Sequence, residues 1–239
     1  MVAAEDNQKP TESGRLYIVA TPIGNLSDLT ERGRKILCQC DLIACEDTRK
    51  TGQLLAKIGS KVPTLSNHEH NEKERAREIA EHVAIGAQVA LVSDAGTPAI
   101  SDPGFRAVRE CRRRGLEVVP VPGPSAVITA LSASGLPTNG FFYAGFLPPK
   151  TVARQRFLGE YQSFPYTIVL YESSHRIAKL AADIVSVLGP GRVVCFAREV
   201  TKLHETLLTG TAEKVAAGLQ GRQLKGEFTV IIAPEGFEL

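Results

Sequence analysis

The segment QVALVSDAGTPAISDPG, residues 88–104, decides how the first half of this sequence is interpreted. Its apolar start predicts a buried strand, and the residues that follow are turn formers and hydrogen-bond acceptors. We expect a helix to begin at once, with Asp102 as its N-cap and Pro103 at its first position. Open α/β sheets bind ligands in such loops, so Asp94 and Gly96 are candidate ligand contacts. The alternative is a well-capped connection that binds nothing.

The sequence before residue 122 alternates predicted strands with predicted helices. The strands are expected at residues 16–20, 41–45, 62–65, 89–92 and 116–121. Ser27 is the expected N-cap of the first helix, and Gly59 is expected to end the second. Short strands separated by helices favour right-handed βαβ units and a parallel sheet.

A breaker segment, Pro120–Ser125, ends this alternation. Later strands are expected at residues 141–146, 167–171, 192–197, 204–209 and 228–233, with the strand at 204–209 antiparallel to a neighbour. This mixture predicts a second α/β domain with a mixed sheet. We therefore predict a disordered tail at residues 1–13, an N-terminal α/β domain at 14–122 and a C-terminal α/β domain at 123–239.

The net charge of +2 is too small for the whole chain to act as a polycation, so nucleic-acid binding requires a local basic patch. Two groups of basic residues could hold phosphates, and for each the alternative is an ordinary solvated surface. One group lies on a predicted helix and the other follows a Pro-Pro turn: Arg106, Arg109, Arg112, Arg113 and Arg114, and then Lys150, Arg154 and Arg156.

Cysteine usage and the N-terminus predict a reducing, cytoplasmic location. The five cysteines are an odd number, and the first ten residues have neither a basic start nor an apolar middle. No apolar run approaches the roughly 20 residues that span a bilayer. His68 and His70 have no cysteine partner at zinc spacing and no Cys-x-x-Cys occurs, so we predict no metal site.

Two common nucleotide-binding patterns are missing. Glu46 lies about 20 residues beyond Gly24, as the acidic residue of a dinucleotide-binding unit would. However, the loop TPIGNL at residues 21–26 lacks the glycines of G-x-G-x-x-G, and no Walker sequence is present. Dehydrogenase and NTPase functions are therefore disfavoured.

Taken together, several short segments resemble the tetrapyrrole methylase superfamily, the class III methyltransferases that use S-adenosylmethionine. Within it, the sequence is similar to the ribosomal RNA small-subunit methyltransferase I family. The segments that carry the resemblance follow the family's order: VATPIGNL at 19–26, EDTR at 46–49, SDAGTP at 93–98, SDPG at 101–104, PGPSA at 122–126, YESSHR at 171–176, AREVTK at 197–202 and KGE at 225–227.

The resemblance implies two α/β domains with the cofactor S-adenosylmethionine in the cleft between them, and a homodimer. It implies methylation of the ribose 2′-hydroxyl of a cytidine in 16S rRNA, within the small ribosomal subunit, with no membrane and no metal. Family members commonly carry a helical extension after the Lys-Gly-Glu strand, whereas this sequence ends at Leu239.

The resemblance also implies roles for individual residues. The implied cofactor contacts are Asp94, Gly96, Thr97, Ile100, Ser125, Ala126, Leu170, Tyr171, Ala197, Gly226, Glu227 and Phe228. A poorly acidic ribose hydroxyl calls for a base or for a group that stabilises the oxyanion, and the candidates are Lys202, Glu199, Glu46, Asp47 and Arg49. The alternative is a structural network of ion pairs among these charges.

Two competing functions use the same fold. One is methylation of a tetrapyrrole or cobalamin precursor, and the other is a non-catalytic RNA-binding factor in ribosome assembly. The EDTR and AREVTK segments favour RNA over a tetrapyrrole. Methyl transfer to purified small subunits would separate an enzyme from a pure binder.

Overall fold

The computed structural model describes residues 13–219 and 225–239. The chain divides into two compact units: residues up to Pro22 together with Leu26–Pro124, and Ile23–Asn25 together with Ser125–Leu239. Each unit contains one five-stranded sheet with helices packed on it. Apart from Ser13, the predicted tail lies outside the described residues.

The first unit contains a parallel sheet with the strand order β3-β2-β4-β1-β5. Its strands are β1 (Arg15–Val19), β2 (Leu42–Cys45), β3 (Thr64–Ser66), β4 (Gln88–Leu91) and β5 (Glu117–Val121). Its helices are α1 (Glu31–Gln39), α2 (Thr48–Ile58), α3 (Glu72–Ala84) and α4 (Phe105–Arg113). The predicted parallel α/β architecture is confirmed here, and Gly59 ends α2 in the left-handed conformation as expected.

Both faces of this sheet are buried, as parallel sheets require. Helices α3 and α4 cover the face that includes Leu16 and Leu91, and α1 and α2 cover the face that includes Val19 and Ile43. Strands β1 and β4 are neighbours. After β1 the chain crosses the sheet to β2, and after β4 it crosses in the opposite direction to β5. Loops that diverge in this way open a crevice at the carboxyl ends of the strands.

The second unit contains a mixed sheet with the strand order β6-β7-β10-β8-β9. Strands β6 and β7 are parallel, and the other neighbours are antiparallel, including β9 as predicted. The elements are α5 (Ala126–Ala133), β6 (Phe141–Phe146), α6 (Thr151–Glu160), β7 (Thr167–Ser173), α7 (Ile177–Leu188), β8 (Val193–Arg198), β9 (Thr206–Thr211), α8 (Ala212–Leu219) and β10 (Glu227–Ile232).

The two faces of the mixed sheet carry separate apolar cores. Leu158 of α6, Leu180 of α7 and Val215 of α8 pack on one face. Val127 and Ala130 of α5 pack on the other face. Strands β7, β8 and β10 are apolar on both faces because helices cover both of them.

Two predicted helix starts are wrong. Helix α4 begins at Phe105 rather than at Pro103, and Asp102 is not its N-cap. The Glu72 carboxylate caps α4 instead, accepting hydrogen bonds from the backbone N–H groups of Gly104 at 2.8 Å and Arg106 at 3.0 Å. A carboxylate from another helix reaches these donors, and no local sequence pattern shows that.

Helix α1 also starts later than predicted. Ser27 lies in a short 3-10 turn, and Thr30 is the N-cap. The Thr30 hydroxyl accepts a hydrogen bond from the backbone N–H of Gly33 at 3.1 Å. The preference for a hydroxyl cap was right, but two hydroxyl residues compete within four positions and only one has the required geometry.

The basic groups are mostly paired. Arg106 pairs with Glu72, and both Arg113 and Arg114 pair with Glu110, so the α4 arginines are largely an ordinary solvated face. Arg154 cannot bind phosphate from solvent, because it is 1% exposed and its guanidinium pairs with Asp183.

All five cysteines are free thiols. Across residues 13–219 and 225–239, no helix combines the length and the apolarity needed to cross a bilayer.

Candidate functional site

The first group of candidate residues lies in the loops that follow β1 and β4. The backbone N–H groups of Thr21 and Gly96 each donate to the other residue's carbonyl, at 2.9 and 3.0 Å. The Thr21 hydroxyl donates to the Ser93 carbonyl at 3.0 Å. Gly96 has a φ of 82°, a conformation that side chains strongly disfavour. The two loops are therefore fixed to each other, and Gly96 is buried between them with its backbone N–H and carbonyl both hydrogen-bonded to Thr21.

Asp94 connects this loop to the EDTR segment. Its carboxylate accepts the backbone N–H of Asp47 at 3.1 Å and the Nζ of Lys50 at 2.8 Å. Lys50 was not among the predicted site residues, although its position one turn into α2 could have indicated it. The structure thus brings together Asp94 and the start of α2, as expected for loops at neighbouring strand ends.

Asp47 and Arg49, two predicted catalytic residues, bind each other. The Asp47 carboxylate caps α2 by accepting the backbone N–H of Arg49 at 2.9 Å, and it pairs with the Arg49 guanidinium at 2.8 Å. Hydrogen bonds from the Arg49 side chain and backbone hold the pKa of Asp47 well below its usual range. This pairing favours the charged form of Asp47, while the exposed Arg49 keeps donors free to face a phosphate.

Glu46 lies near Asn67, which the sequence analysis did not consider, and near His68, which it considered only as a metal ligand. Burial and the charge of Asp94 raise the pKa of Glu46. Asn67 is 1% exposed, and its backbone N–H donates to the Cys45 carbonyl at 2.7 Å. Its amide and the Nδ1 of His68 have no hydrogen-bond partner among the described residues. Among residues 13–219 and 225–239, no three histidine, cysteine, aspartate or glutamate side chains lie close enough together to hold a metal ion.

The other predicted cofactor contacts of the first unit lie farther along the same loop. The Thr97 hydroxyl donates to the Pro124 carbonyl at 3.1 Å, so it joins the loops after β4 and β5. Ile100 is 47% exposed. It lies between Ala99 and Ser101, which both have positive φ. Strained backbone of this kind often occurs at functional sites.

The second unit contains a compact charged cluster formed by Lys202, Glu199 and Glu227. The Lys202 Nζ donates to the Glu199 carboxylate at 2.9 Å and to the Glu227 carboxylate at 3.0 Å. The backbone N–H of Glu227 also donates to the Glu199 carboxylate at 3.0 Å. The two predicted catalytic residues of this unit are therefore joined to a residue that was predicted as a cofactor contact.

Glycines surround this cluster because there is no space for larger residues. A Cβ on Gly24 would lie 2.2 Å from the Lys202 side chain, and one on Gly226 would lie 2.4 Å from the Glu199 carboxylate. Glu199 and Thr201 have φ values of 50° and 67°, which is rare for any residue with a side chain and most strained for a β-branched one. The segment that carries Lys202 is thus held in one conformation by its surroundings.

The electrostatics of the cluster favour a charged lysine. Burial lowers the pKa of Lys202, but the hydrogen bonds to Glu199 and Glu227 raise it by more, so it lies above the ordinary value. Burial raises the pKa of Glu199, but bonds from Lys202 and from the Glu227 N–H leave it below the ordinary value. The resting site is therefore an ammonium group held by two carboxylates.

The remaining predicted cofactor contacts lie on both faces of the mixed sheet. Ala126, Tyr171 and Ala197 share one face. Leu170 and Phe228 are buried in the core of the opposite face, so only their backbone could reach a ligand on the first face. Ser125 is the N-cap of α5, but its side chain makes no capping hydrogen bond.

Comparison with known proteins agrees with this architecture. The profile of the family described as Tetrapyrrole (Corrin/Porphyrin) Methylases matches residues 15–216. The ribosomal RNA small subunit methyltransferase I of Xylella fastidiosa strain Temecula1 is 49% identical over 92% of this chain and 81% of its own length. The protein of the same name from Escherichia coli O157:H7 is 47% identical over 92% of this chain and 77% of its own length.

Solved structures share the fold at much lower identity. Diphthine synthase has a TM-score of 0.73 at 13% identity and covers 94% of this chain and 91% of its own. The uroporphyrin-III C-methyl transferase of Thermus thermophilus, complexed with S-adenosyl homocysteine, has a TM-score of 0.63 at 21% identity and covers 92% and 97%. The two rRNA methyltransferases are 47–49% identical to this chain, whereas these two solved structures share its fold at only 13–21% identity. The chain belongs to the ribosomal RNA small subunit methyltransferase I family of tetrapyrrole methylases.

Proposed function

We propose that this chain transfers the methyl group of S-adenosylmethionine to the ribose 2′-hydroxyl of a cytidine in 16S rRNA of the small ribosomal subunit. Family membership supports methyl transfer to small-subunit rRNA. The structural observation that carries the proposal is the cluster of Lys202, Glu199 and Glu227, an ammonium group fixed by two carboxylates at one end of a sheet. We also infer a cytoplasmic location, and a homodimer that sedimentation of the purified protein would test.

The residues predicted to bind the cofactor suit a compact, bent molecule. Gly96 and Gly226 have positive φ and no side chain, and Ala126 and Ala197 are small. S-adenosylmethionine, when bound, supplies a methyl group already activated on a sulfonium. The chain has mainly to align that group with the hydroxyl and to exclude water. We propose that these residues, with Asp94, perform the alignment.

Lys202 acts in this proposal as a cation rather than as a base. Its raised pKa keeps the ammonium group protonated at neutral pH, so it has no lone pair with which to accept the hydroxyl proton. A fixed ammonium group stabilises the negative charge that develops on the ribose oxygen as its proton passes to the Glu199 carboxylate, the candidate base of the same cluster, and the new C–O bond forms. The two carboxylates keep Lys202 in place because each accepts one of its hydrogen bonds.

The experiment that tests the proposal is transfer of labelled methyl from S-adenosylmethionine to small subunits that lack the modification, followed by ribonucleoside analysis. We expect label in 2′-O-methylcytidine. Label in a different nucleoside would contradict the cytidine assignment. No transfer, with cofactor binding intact by calorimetry, would contradict the proposed substrate and leave only the fold.

A further inference from the structure

Phe146, the last residue of β6, lies on the opposite face of the sheet from the one that simple alternation predicts. Strand β6 pairs in parallel with β7, and the register shifts between Tyr143 and Gly145, which leaves Ala144 as an extra residue. Gly145 has a φ of 66°, which suits a bulge. Bulges are rare in parallel pairs and often redirect a side chain. Here the bulge places Phe146 opposite Tyr171 instead of one position out of register.

The redirected Phe146 extends an aromatic group towards solvent. Tyr143 and Tyr171 have ring centroids 5.3 Å apart, and Phe146 lies 5.7 Å from Tyr171 at 57°. Phe146 is 57% exposed, so much of its ring faces water. Without the extra residue, Phe146 would share the face of Phe142 and Ala144, which pack against the helix-covered core. The bulge thus places this large exposed ring on the opposite side of the sheet from Phe142 and Ala144.

The loop after Phe146 is held rigidly by two arginines. The Arg176 guanidinium donates to the Leu147 and Pro148 carbonyls at 2.7 and 3.2 Å and pairs with the fully buried Glu172 carboxylate at 3.1 Å. Arg154, paired with Asp183, donates to the Pro149 carbonyl at 3.2 Å. These consecutive carbonyls are therefore fixed by ion-paired side chains, and a preformed loop loses little entropy when it binds a ligand.

This loop ends in an exposed lysine. Lys150 precedes α6 as its N-cap residue and is exposed. An aromatic ring and a lysine on one rigid loop match the two features of a single-stranded nucleic acid, namely the flat face of a base and the charge of a phosphate. Membership of an rRNA methyltransferase family favours RNA over a protein or a lipid as the occupant of this loop.

The loop lies at the same end of the mixed sheet as the Lys202 cluster. Strands β6 and β7 end there, β10 begins there with Glu227 opposite Ser173, and β8 ends there with Arg198 opposite Phe228. Three strand spacings separate β6 from β8, so the two features lie about 14 Å apart along this end. An RNA strand bound at one could extend to the other.

We propose that Phe146 and Lys150 form a docking surface for single-stranded RNA next to the nucleotide that is methylated. Phe146 stacks on an unpaired base, and Lys150 contacts a phosphate. The inference rests on the proposed function, and it specifies an unstacked strand rather than a duplex as the form that the second unit binds.

The test measures binding of a fluorescein-labelled single-stranded RNA of about 12 nucleotides, within the range of site sizes of stacking proteins. We expect Phe146→Ala to weaken binding about tenfold or more, as loss of one stacked base does, and Phe146→Trp to retain it. Phe141→Ala is the matched control, because Phe141 is 42% exposed at the opposite end of the same strand. A duplex of the same sequence should show no difference between the two alanine variants.

Salt dependence tests the lysine separately. Loss of one phosphate contact should make the slope of log affinity against log salt shallower by about 0.7 for Lys150→Ala. Lys214→Ala should leave the slope unchanged, since Lys214 is an exposed lysine in the first turn of α8, at the other end of the sheet.

Three results would overturn the inference: equal RNA affinity for Phe146→Ala and Phe141→Ala, loss of S-adenosylmethionine affinity in Phe146→Ala with RNA affinity intact, or a change in oligomeric state caused by Phe146→Ala. The second would assign the ring to the cofactor, and the third to an interface between copies of the chain. Wild-type protein that binds the RNA through Phe146 but transfers no methyl would contradict the proposed function, and only the binding of single-stranded RNA by Phe146 would stand.

Discussion

The position and charge of Lys202, in the second unit, depend on contacts with residues that are distant in the sequence. Lys202 is held by Glu199, three residues away, and by Glu227, on a different strand. Gly24, which lies much earlier in the sequence, leaves room for the Lys202 side chain because it has no side chain of its own. Its charge state follows from these contacts, because two carboxylates raise the pKa of Lys202 more than burial lowers it.

Substitution of Lys202 should separate a cationic role from a basic one. We expect Lys202→Ala to lower the rate of methyl transfer about 10²-fold or more, the effect of losing a positioned charge or proton-transfer group, while S-adenosylmethionine still binds. Lys202→Arg keeps the cation but cannot act as a base, so it should retain clearly more activity than the alanine variant. Arginine and alanine variants of equal rate would argue against the cationic role, and Lys214→Ala serves as the control.

Glu46 should make stability depend on pH. Its pKa is raised in the folded state by burial and by Asp94, so the folded protein holds this proton more tightly than the unfolded chain does. The stabilising contribution of protonated Glu46 is therefore fully present below its pKa in the unfolded chain, about 4.3, and it is lost as the pH rises through its pKa in the folded protein. We expect Glu46→Gln to gain unfolding free energy over wild type at pH 7 but not at pH 4, by urea denaturation. The exposed Glu74→Gln should show no such difference.

At the scale of single elements, helix starts depend on neighbouring helices as much as on local sequence. Helix α4 has no side-chain cap of its own, and the carboxylate of Glu72 on α3 accepts two of its free N–H groups. The same carboxylate pairs with the Arg106 side chain at 3.2 Å. One residue therefore joins α3 to the beginning of α4, directly after the loop that contains Asp94.

Removal of this cap should destabilise the first unit. We expect Glu72→Ala to lower the free energy of unfolding by about 1 kcal/mol, the usual cost of a lost N-cap. Glu74→Ala, in the same turn of α3 and exposed, should change it by less than about 0.5 kcal/mol. Chemical denaturation of the two variants checks this, and equal stabilities would show that Glu72 is not the cap in solution.

At the scale of the whole molecule, the predicted cofactor contacts come from both units. Asp94, Gly96, Thr97 and Ile100 belong to the first unit, whereas the contacts from Ser125 onwards belong to the second. A ligand that binds only the folded protein stabilises it by mass action. The cofactor is therefore expected to raise the stability of the intact chain, and each contact can be tested through that effect.

S-adenosylmethionine at about 100 times its Kd should stabilise the protein by about 2.7 kcal/mol. We expect Asp94→Asn to weaken cofactor binding about tenfold or more, because a charge-assisted hydrogen bond contributes roughly 1.5–3 kcal/mol. Asp41→Asn is the control, since Asp41 lies at the amino end of β2 and accepts the backbone N–H of Gln88. Calorimetry measures both variants, and equal affinities would remove Asp94 from the cofactor site.

Local patterns determined the succession of strands and helices, the parallel and mixed sheets and the family. Apolar runs and turn residues act within a few positions, and the segments that carry the resemblance are short and contiguous. Only the tertiary structure decided which charges meet. Strand register and helix packing bring three such sets of residues together: Glu72 with the start of α4, Arg154 with Asp183 in a buried ion pair, and Lys202 with Glu227 in an ion pair. These join residues more than twenty positions apart, and a one-residue shift of register would separate them.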